Sequence, residues 1–143
     1  MPVEPGLVDT NVLVYALDDA AQHASSRALL EAGRAASVIL YVTSQIICEF
    51  YCVVTNPRHV AKPCSAAAAL GAISSLLGFL RVLPVPAQTV EELIRLVRRR
   101  PVTAGDIFDL QILATMNVNA IQRIYTFNTA DFAGFPEIAL LTP

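Results

Sequence analysis

Short apolar runs alternate along this chain with longer stretches of helical period. The run GLVD at 6–9 reads as a buried strand that ends in an acid. Residues 20–35 carry a helical pattern, and VILYV at 38–42 is apolar and largely β-branched, a second strand. Thr43 or Ser44 can cap a helix that runs to Asn56 and stops at Pro57. Ser65 can cap an alanine-rich helix reaching Leu80, followed by a third strand, RVLPV at 81–85, broken by Pro84. Thr89, with Glu92 three residues on, has the spacing of a capping box and opens a helix that ends at the arginines before Pro101. Residues 106–117 place Ile107, Leu110, Ile112, Leu113 and Met116 in helical period, and 124–126 and 138–141 read as two further strands. Strands alternating with helices predict an α/β fold of three layers: a central, mostly parallel sheet flanked by helices, with right-handed crossovers. Neither a repeat nor a linker interrupts the pattern, which predicts a single domain over 1–143.

Composition narrows the function classes. With 55% hydrophobic and 15% charged residues, the 143-residue chain is too apolar for disorder to be its main state. An apolar excess in so short a chain implies a second hydrophobic surface, hence a homodimer or a bound partner. The net charge of −2 excludes a protein that grips nucleic acid by bulk positive field, so an anionic substrate must be held locally. Arg95, Arg98, Arg99 and Arg100 are clustered, either as a solvated helix end matched to the helix dipole or as a phosphate-contacting patch. Cys48, Cys52 and Cys64 lack the paired spacing of a zinc site and read as small buried hydrophobes in a reducing cytoplasm, in keeping with an N-terminus that has no secretory character. The uncharged stretch 63–80 is at the lower length limit for a membrane span, but its alanine, serine and glycine content predicts a buried or dimer-facing helix of a soluble protein.

The acidic residues carry the chemistry. Of six aspartates, Asp9, Asp106, Asp109 and Asp131 fall at expected element ends. In parallel sheets ligands bind at the carboxyl ends of strands, where Asp9 stands. Glu49 sits inside IICEFYCVV, an apolar helix in which a charge needs a partner. Carboxylates gathered without lysine repel one another, and a divalent cation relieves the repulsion; oxygen-only ligation indicates Mg²⁺ or Mn²⁺. Phosphatases and phosphate receivers of the doubly wound kind need a second early acid and a late lysine, whereas here Asn11 follows Asp9 by two and the only lysine, Lys62, is mid-chain. Metal-dependent phosphodiester hydrolysis needs neither, because the ions activate water and neutralise the leaving oxygen.

Four segments resemble one family. VDTNVLVYALD at 8–18, CEF at 48–50, FDLQILATM at 108–116 and TFNTADFAGFP at 126–136 are similar, in order and over essentially the whole chain, to PIN-domain ribonucleases, most of all to VapC-type toxins of toxin–antitoxin pairs. The resemblance implies a PIN-like fold, Mg²⁺ or Mn²⁺ at a carboxylate cluster, endonucleolytic cleavage of RNA, a homodimer, and a small antitoxin that occludes the site. It places the family's acids on Asp9, Glu49 and Asp109 as catalytic and metal-holding residues. The fourth position falls on Asn128, a neutral departure that Asp131 could make good in part.

Other residues take supporting roles in that expectation. Asn11 and Thr10 orient Asp9, and Asp9 itself could cap a helix starting at Thr10. Asp106 is explained as a helix N-cap or a support to the site, and Asp131 equally as a turn residue or a site residue. Ser44 and Arg98, Arg99 and Arg100 are candidate RNA contacts. The alternative function is a non-catalytic PIN-fold module that binds RNA or a partner, a loss of turnover that a neutral Asn128 permits.

Overall fold

The computed structural model describes residues 2–18 and 20–143. Five strands, β1 (Gly6–Val8), β2 (Leu40–Val42), β3 (Arg81–Val82), β4 (Arg123–Tyr125) and β5 (Ala139–Leu141), form one parallel sheet in the order β3-β2-β1-β4-β5. β1 lies at the centre, with Leu7 opposite Tyr41 on one side and Ile124 on the other. All three of its residues are buried, because a central parallel strand is covered on both faces. Six helices follow in chain order: α1 (Thr10–Ala16), α2 (Ala24–Arg34), α3 (Ser44–Val54), α4 (Ala66–Leu77), α5 (Thr89–Arg99) and α6 (Ile107–Val118). Helices α1 to α4 pack on one another, and α5 packs on α6. The chain builds outward from β1 to β3 and then restarts on the other side at β4, so right-handed crossovers put these two helix groups on opposite faces of the sheet. The expected α/β, three-layer architecture with a parallel sheet is present.

Each helix start shows how the sequence sets it. Thr43 and Ser65 cap α3 and α4, their hydroxyls accepting from the backbone N–H groups of Ile46 and Ala68 at 3.1 Å each. The capping box expected at Thr89 does not form. Gln88 is the N-cap without a side-chain bond, Thr89 is buried, and Glu92 turns instead to Arg95 and Asn117. An ion pair and an amide bond hold the Glu92 carboxylate better than one backbone N–H would. Helix α1, which the alternation of runs does not reveal, occupies the motif that begins at Asp9.

The core joins both sheet faces through Leu7, Val12, Phe50, Leu113 and Ile124, none more than 0% exposed. On α3 the buried positions are Ile46, Phe50 and Val54, four apart, which turns Cys48 and Cys52 outward. These two cysteines are exposed, contrary to the expectation of buried hydrophobes, whereas Cys64 is half-buried against the core; all three are free thiols. The outer side of α4 likewise leaves Leu70 and Leu77 exposed. Among the described residues no helix is long and apolar enough to cross a membrane.

Candidate active site

The strand order reverses between β1 and β4, and the crevice outside their carboxyl ends is where an open parallel sheet binds its ligand. Asp9 leaves β1 at that point and is 6% exposed. One of its oxygens, Oδ1, accepts from the Thr10 backbone N–H at 2.8 Å, so Asp9 does cap α1. The other, Oδ2, accepts from the Thr126 hydroxyl at 2.8 Å and the Asn11 amide at 3.2 Å. Asn11 also accepts from the Phe127 backbone N–H at 3.1 Å, which ties the start of α1 to the end of β4. Asp9 thus caps α1, and the Thr10 N–H and the Asn11 amide each hold one of its two oxygens. Burial raises its pKa, against the Thr126 and Thr10 hydrogen bonds that lower it.

Glu49 comes from the second turn of α3 and is half-buried. Its Oε2 accepts from the Thr10 hydroxyl at 2.9 Å, which joins it to the Asp9 corner. Its Oε1 accepts from the Gln45 amide at 2.8 Å, and the same amide donates to the Phe108 carbonyl at 3.0 Å. The apolar helix places this acid at the edge of the core, where it flanks the Ile46–Phe50–Val54 stripe and is half-buried.

Asp109 lies in the first turn of α6. Burial pushes its carboxyl up to about 6, helped by the charges of Asp131, Asp9, Glu49 and Asp106. Among the described residues no group donates a hydrogen bond to it, and the ion pairs of the chain leave Asp9, Glu49, Asp109 and Asp131 without a cationic partner. Asp131 is exposed on the 3-10 turn Thr129–Phe132, which packs on α6. Of the neighbouring charges, that of Asp131 acts most strongly on Asp109. Asp106 caps nothing through its side chain, its backbone already being helical; exposed before Asp109, it adds negative charge to the crevice instead.

The remaining candidates stand further from the carboxylates. Asn128 is exposed; its backbone N–H donates to the Thr126 hydroxyl at 3.0 Å, and its side chain bonds to nothing among the described residues. Ser44 is exposed at the first position of α3, the capping done by Thr43. Arg99 pairs with Glu137 through two bonds of 2.6 and 3.1 Å, and Arg100 donates to the Ala133 carbonyl. Both guanidinium groups lie over the Phe135 ring, at 5.1 and 5.8 Å. They strap the segment after the 3-10 turn to α5, whereas Arg98 has no ion-pair partner among the described residues.

A divalent cation fits this donor set in one way. Among the described residues no three His, Cys, Asp or Glu side chains close on a single point. The charges of Glu49 and Asp131 nonetheless act on both Asp9 and Asp109 and raise their proton affinity, all four groups are hard oxygen donors, and among the described residues no ion pair offsets them. This suits an ion that keeps several waters and takes one or two carboxylates directly, as Mg²⁺ does, and not one held in a closed cage. Gln45 was missed in the sequence; its only signal is its position four residues before Glu49.

Fold and site together define a doubly wound α/β domain with an acidic crevice at its switch point. The PIN domain model matches residues 6–138, which include every carboxylate described above, and the chain belongs to that family. PIN domains are generally nucleases, and those nucleases are generally divalent-metal dependent. No curated protein matches the chain. The fold is shared with VapBC2 from Rickettsia felis, solved bound to a DNA fragment from its promoter, at 17% identity, 99% coverage of each chain and a TM-score of 0.69. It is shared with Mycobacterium tuberculosis VapC20, a Sarcin-Ricin loop cleaving toxin, at 23% identity, 92% of this chain, 97% of that one and a TM-score of 0.64. A toxin–antitoxin complex from Klebsiella pneumoniae is similar at 19% identity, 96% and 97% coverage and a TM-score of 0.66.

Proposed function

We propose that this single-domain chain is a Mg²⁺- or Mn²⁺-dependent endoribonuclease, the toxin of a toxin–antitoxin pair acting in the cytoplasm. The observation that carries the reading is that the charges of Glu49 and Asp131 act on both Asp9 and Asp109 around the switch point, with no ion-pair partner for any of the four among the described residues. Asp9 and Asp109 would hold the ion, with Glu49 beside them. When bound, the ion supplies Lewis-acid activation and offsets charge on the leaving oxygen. Thr126, Asn11 and the Thr10 N–H fix the Asp9 carboxylate in one orientation, so no reorganisation is needed as charge develops. Water attacks the phosphorus in line, the bond to the 3′ oxygen breaks, and that oxygen takes up a proton. The products carry a 5′-phosphate and a 3′-hydroxyl.

Asp131 bears on the non-catalytic alternative. A neutral Asn128 removes one charge, but Asp131 on the same 3-10 turn supplies one to the crevice. The structural neighbours solved as toxin–antitoxin complexes support an antitoxin partner. For that partner we propose the cleft of about 350 Å³ between α1, α2 and α4, floored by Leu13, Leu30 and Leu76 and rimmed by Arg27, Glu31 and Arg34. For the homodimer we propose the outer side of α3 and α4, where Leu70, Leu77, Cys48 and Cys52 are exposed.

The test is cleavage of a structured RNA pool with Mg²⁺ or Mn²⁺, repeated with EDTA and with Asp109→Asn. Cleavage should vanish with chelator, fall at least ~10³-fold in the variant while its fold is kept, and leave 5′-phosphate ends. Equal cleavage by Asp109→Asn at matched purity would sink the reading. Metal binding without cleavage of any RNA would favour the binding module.

A further inference from the structure

We propose that Gln45 is a positioning residue, a strut that fixes Glu49 on α3 against the first turn of α6 and so sets the opening of the acidic crevice; this rests on the proposed reading of that crevice as a divalent-ion site. The amide nitrogen of Gln45 has two N–H groups, and both are used. One donates to Glu49 Oε1 at 2.8 Å and the other to the Phe108 carbonyl at 3.0 Å. Phe108 immediately precedes Asp109, so the strut joins one acid's side chain to the backbone that carries another. Among the described residues it is the one hydrogen bond between α3 and α6, whose helix groups cover opposite faces of the sheet.

The chemistry of the position selects an amide. A lysine or arginine here would neutralise Glu49, and an aspartate or glutamate would repel it and leave the Phe108 carbonyl without this donor. Flipping the amide would aim its oxygen at two acceptors, which fixes its orientation. The cost of that orientation is visible: Gln45 Oε1 is buried without a partner. An apolar side chain would leave no such orphan, and native proteins tolerate orphans where a function holds them. Glu49 without Gln45 keeps only the Thr10 hydroxyl and regains rotational freedom.

The test uses the full chain and Mn²⁺ alone, titrated calorimetrically at pH 7.5 without RNA. Gln45→Met keeps length and helix propensity but removes both donors; Gln45→Ala removes the side chain. Each should weaken Mn²⁺ binding about 10-fold or more, the usual scale for removing a group that orients a ligand. At saturating Mn²⁺, kcat should fall with the KM for RNA unchanged, which a merely structural role would not produce. Wild-type Mn²⁺ affinity in a folded Gln45→Met or Gln45→Ala overturns the strut. Asp109→Asn separates the two levels: affinity lost there but kept in both Gln45 variants sinks this inference alone. Wild-type affinity in Asp109→Asn sinks the site on which it rests.

Discussion

The Asp109 carboxyl is held at about 6 by burial first and by Asp131, Asp9, Glu49 and Asp106 after it, against 3.8 in an open chain. The folded state therefore binds this proton more tightly than the unfolded one. Between ~pH 4 and ~pH 6 the native protein carries more protons, so its stability falls as pH rises through that window, and the loss is complete above it. Burial acts on Asp9 in the same direction. In EDTA, the thermal midpoint should drop from pH 5 to pH 7.5. Asp109→Asn should melt above the wild type at pH 7.5, with the gap closing toward pH 5; a gap that is equal at both pH values would contradict this. Added Mn²⁺ competes with the same proton and should raise the midpoint more at pH 7.5 than at pH 5. On the proposed reading, an acid that holds the ion is thus one whose removal relieves the fold, a familiar trade between stability and activity. Such acids were legible in the sequence because a charge in an apolar helix, or at a strand end, demands a reason. Gln45 was not, since a neutral amide in a first turn reads as solvent-facing. Cys48 and Cys52 were misplaced for a different reason: residue type indicated burial, whereas the four-residue spacing of Ile46, Phe50 and Val54 decided the face.

At the scale of elements, two helix ends are built against residue preference. Helices α2 and α6 both close in Schellman motifs, with Ser37 N–H bonded to Ala32 O and Ile121 N–H to Met116 O. The left-handed position falls on Ala36 at φ 59° and Ala120 at φ 56°, where glycine carries no Cβ penalty. Ala36→Gly and Ala120→Gly should each stabilise the protein by about 1 kcal/mol in urea unfolding; a loss of stability would show that the alanine methyl contributes packing that outweighs the strain. The strands and the longer helices were legible because period and flanking prolines agree. Helix α1 was legible only through Asp9 as a candidate cap at its start: its seven residues are too few to show a period, and Val12, Leu13 and Val14 run together. The Thr89–Glu92 pair fits a capping box by spacing alone, but Arg95 and Asn117 compete successfully for the carboxylate, and only tertiary structure reveals that competition.

The whole molecule places its earliest strand in the middle of its sheet. β1 pairs with β2 at once, yet its other neighbour is β4, more than a hundred residues later. Period and charge made the layers and three of the acids readable in advance, while the meeting of residues 9, 49, 109 and 131 depends on this long-range pairing, which no local window contains. The same order has a consequence for the chain as it is made. At ribosomal rates of about 5–20 residues per second, Asp9 emerges roughly 6–23 s before Thr126, the hydroxyl that fixes it. Until then β1 lacks its second neighbour, Asp109 lacks Asp131, and the crevice has no second wall. A chain ending at Ala120 should therefore show neither amide-exchange protection at Leu7 and Val8 nor metal-dependent cleavage; protection equal to the full chain would refute this. On the proposed reading, a protein that damages its own cell's RNA is born latent, harmless on the ribosome until its last strands are complete and a partner has had time to find it.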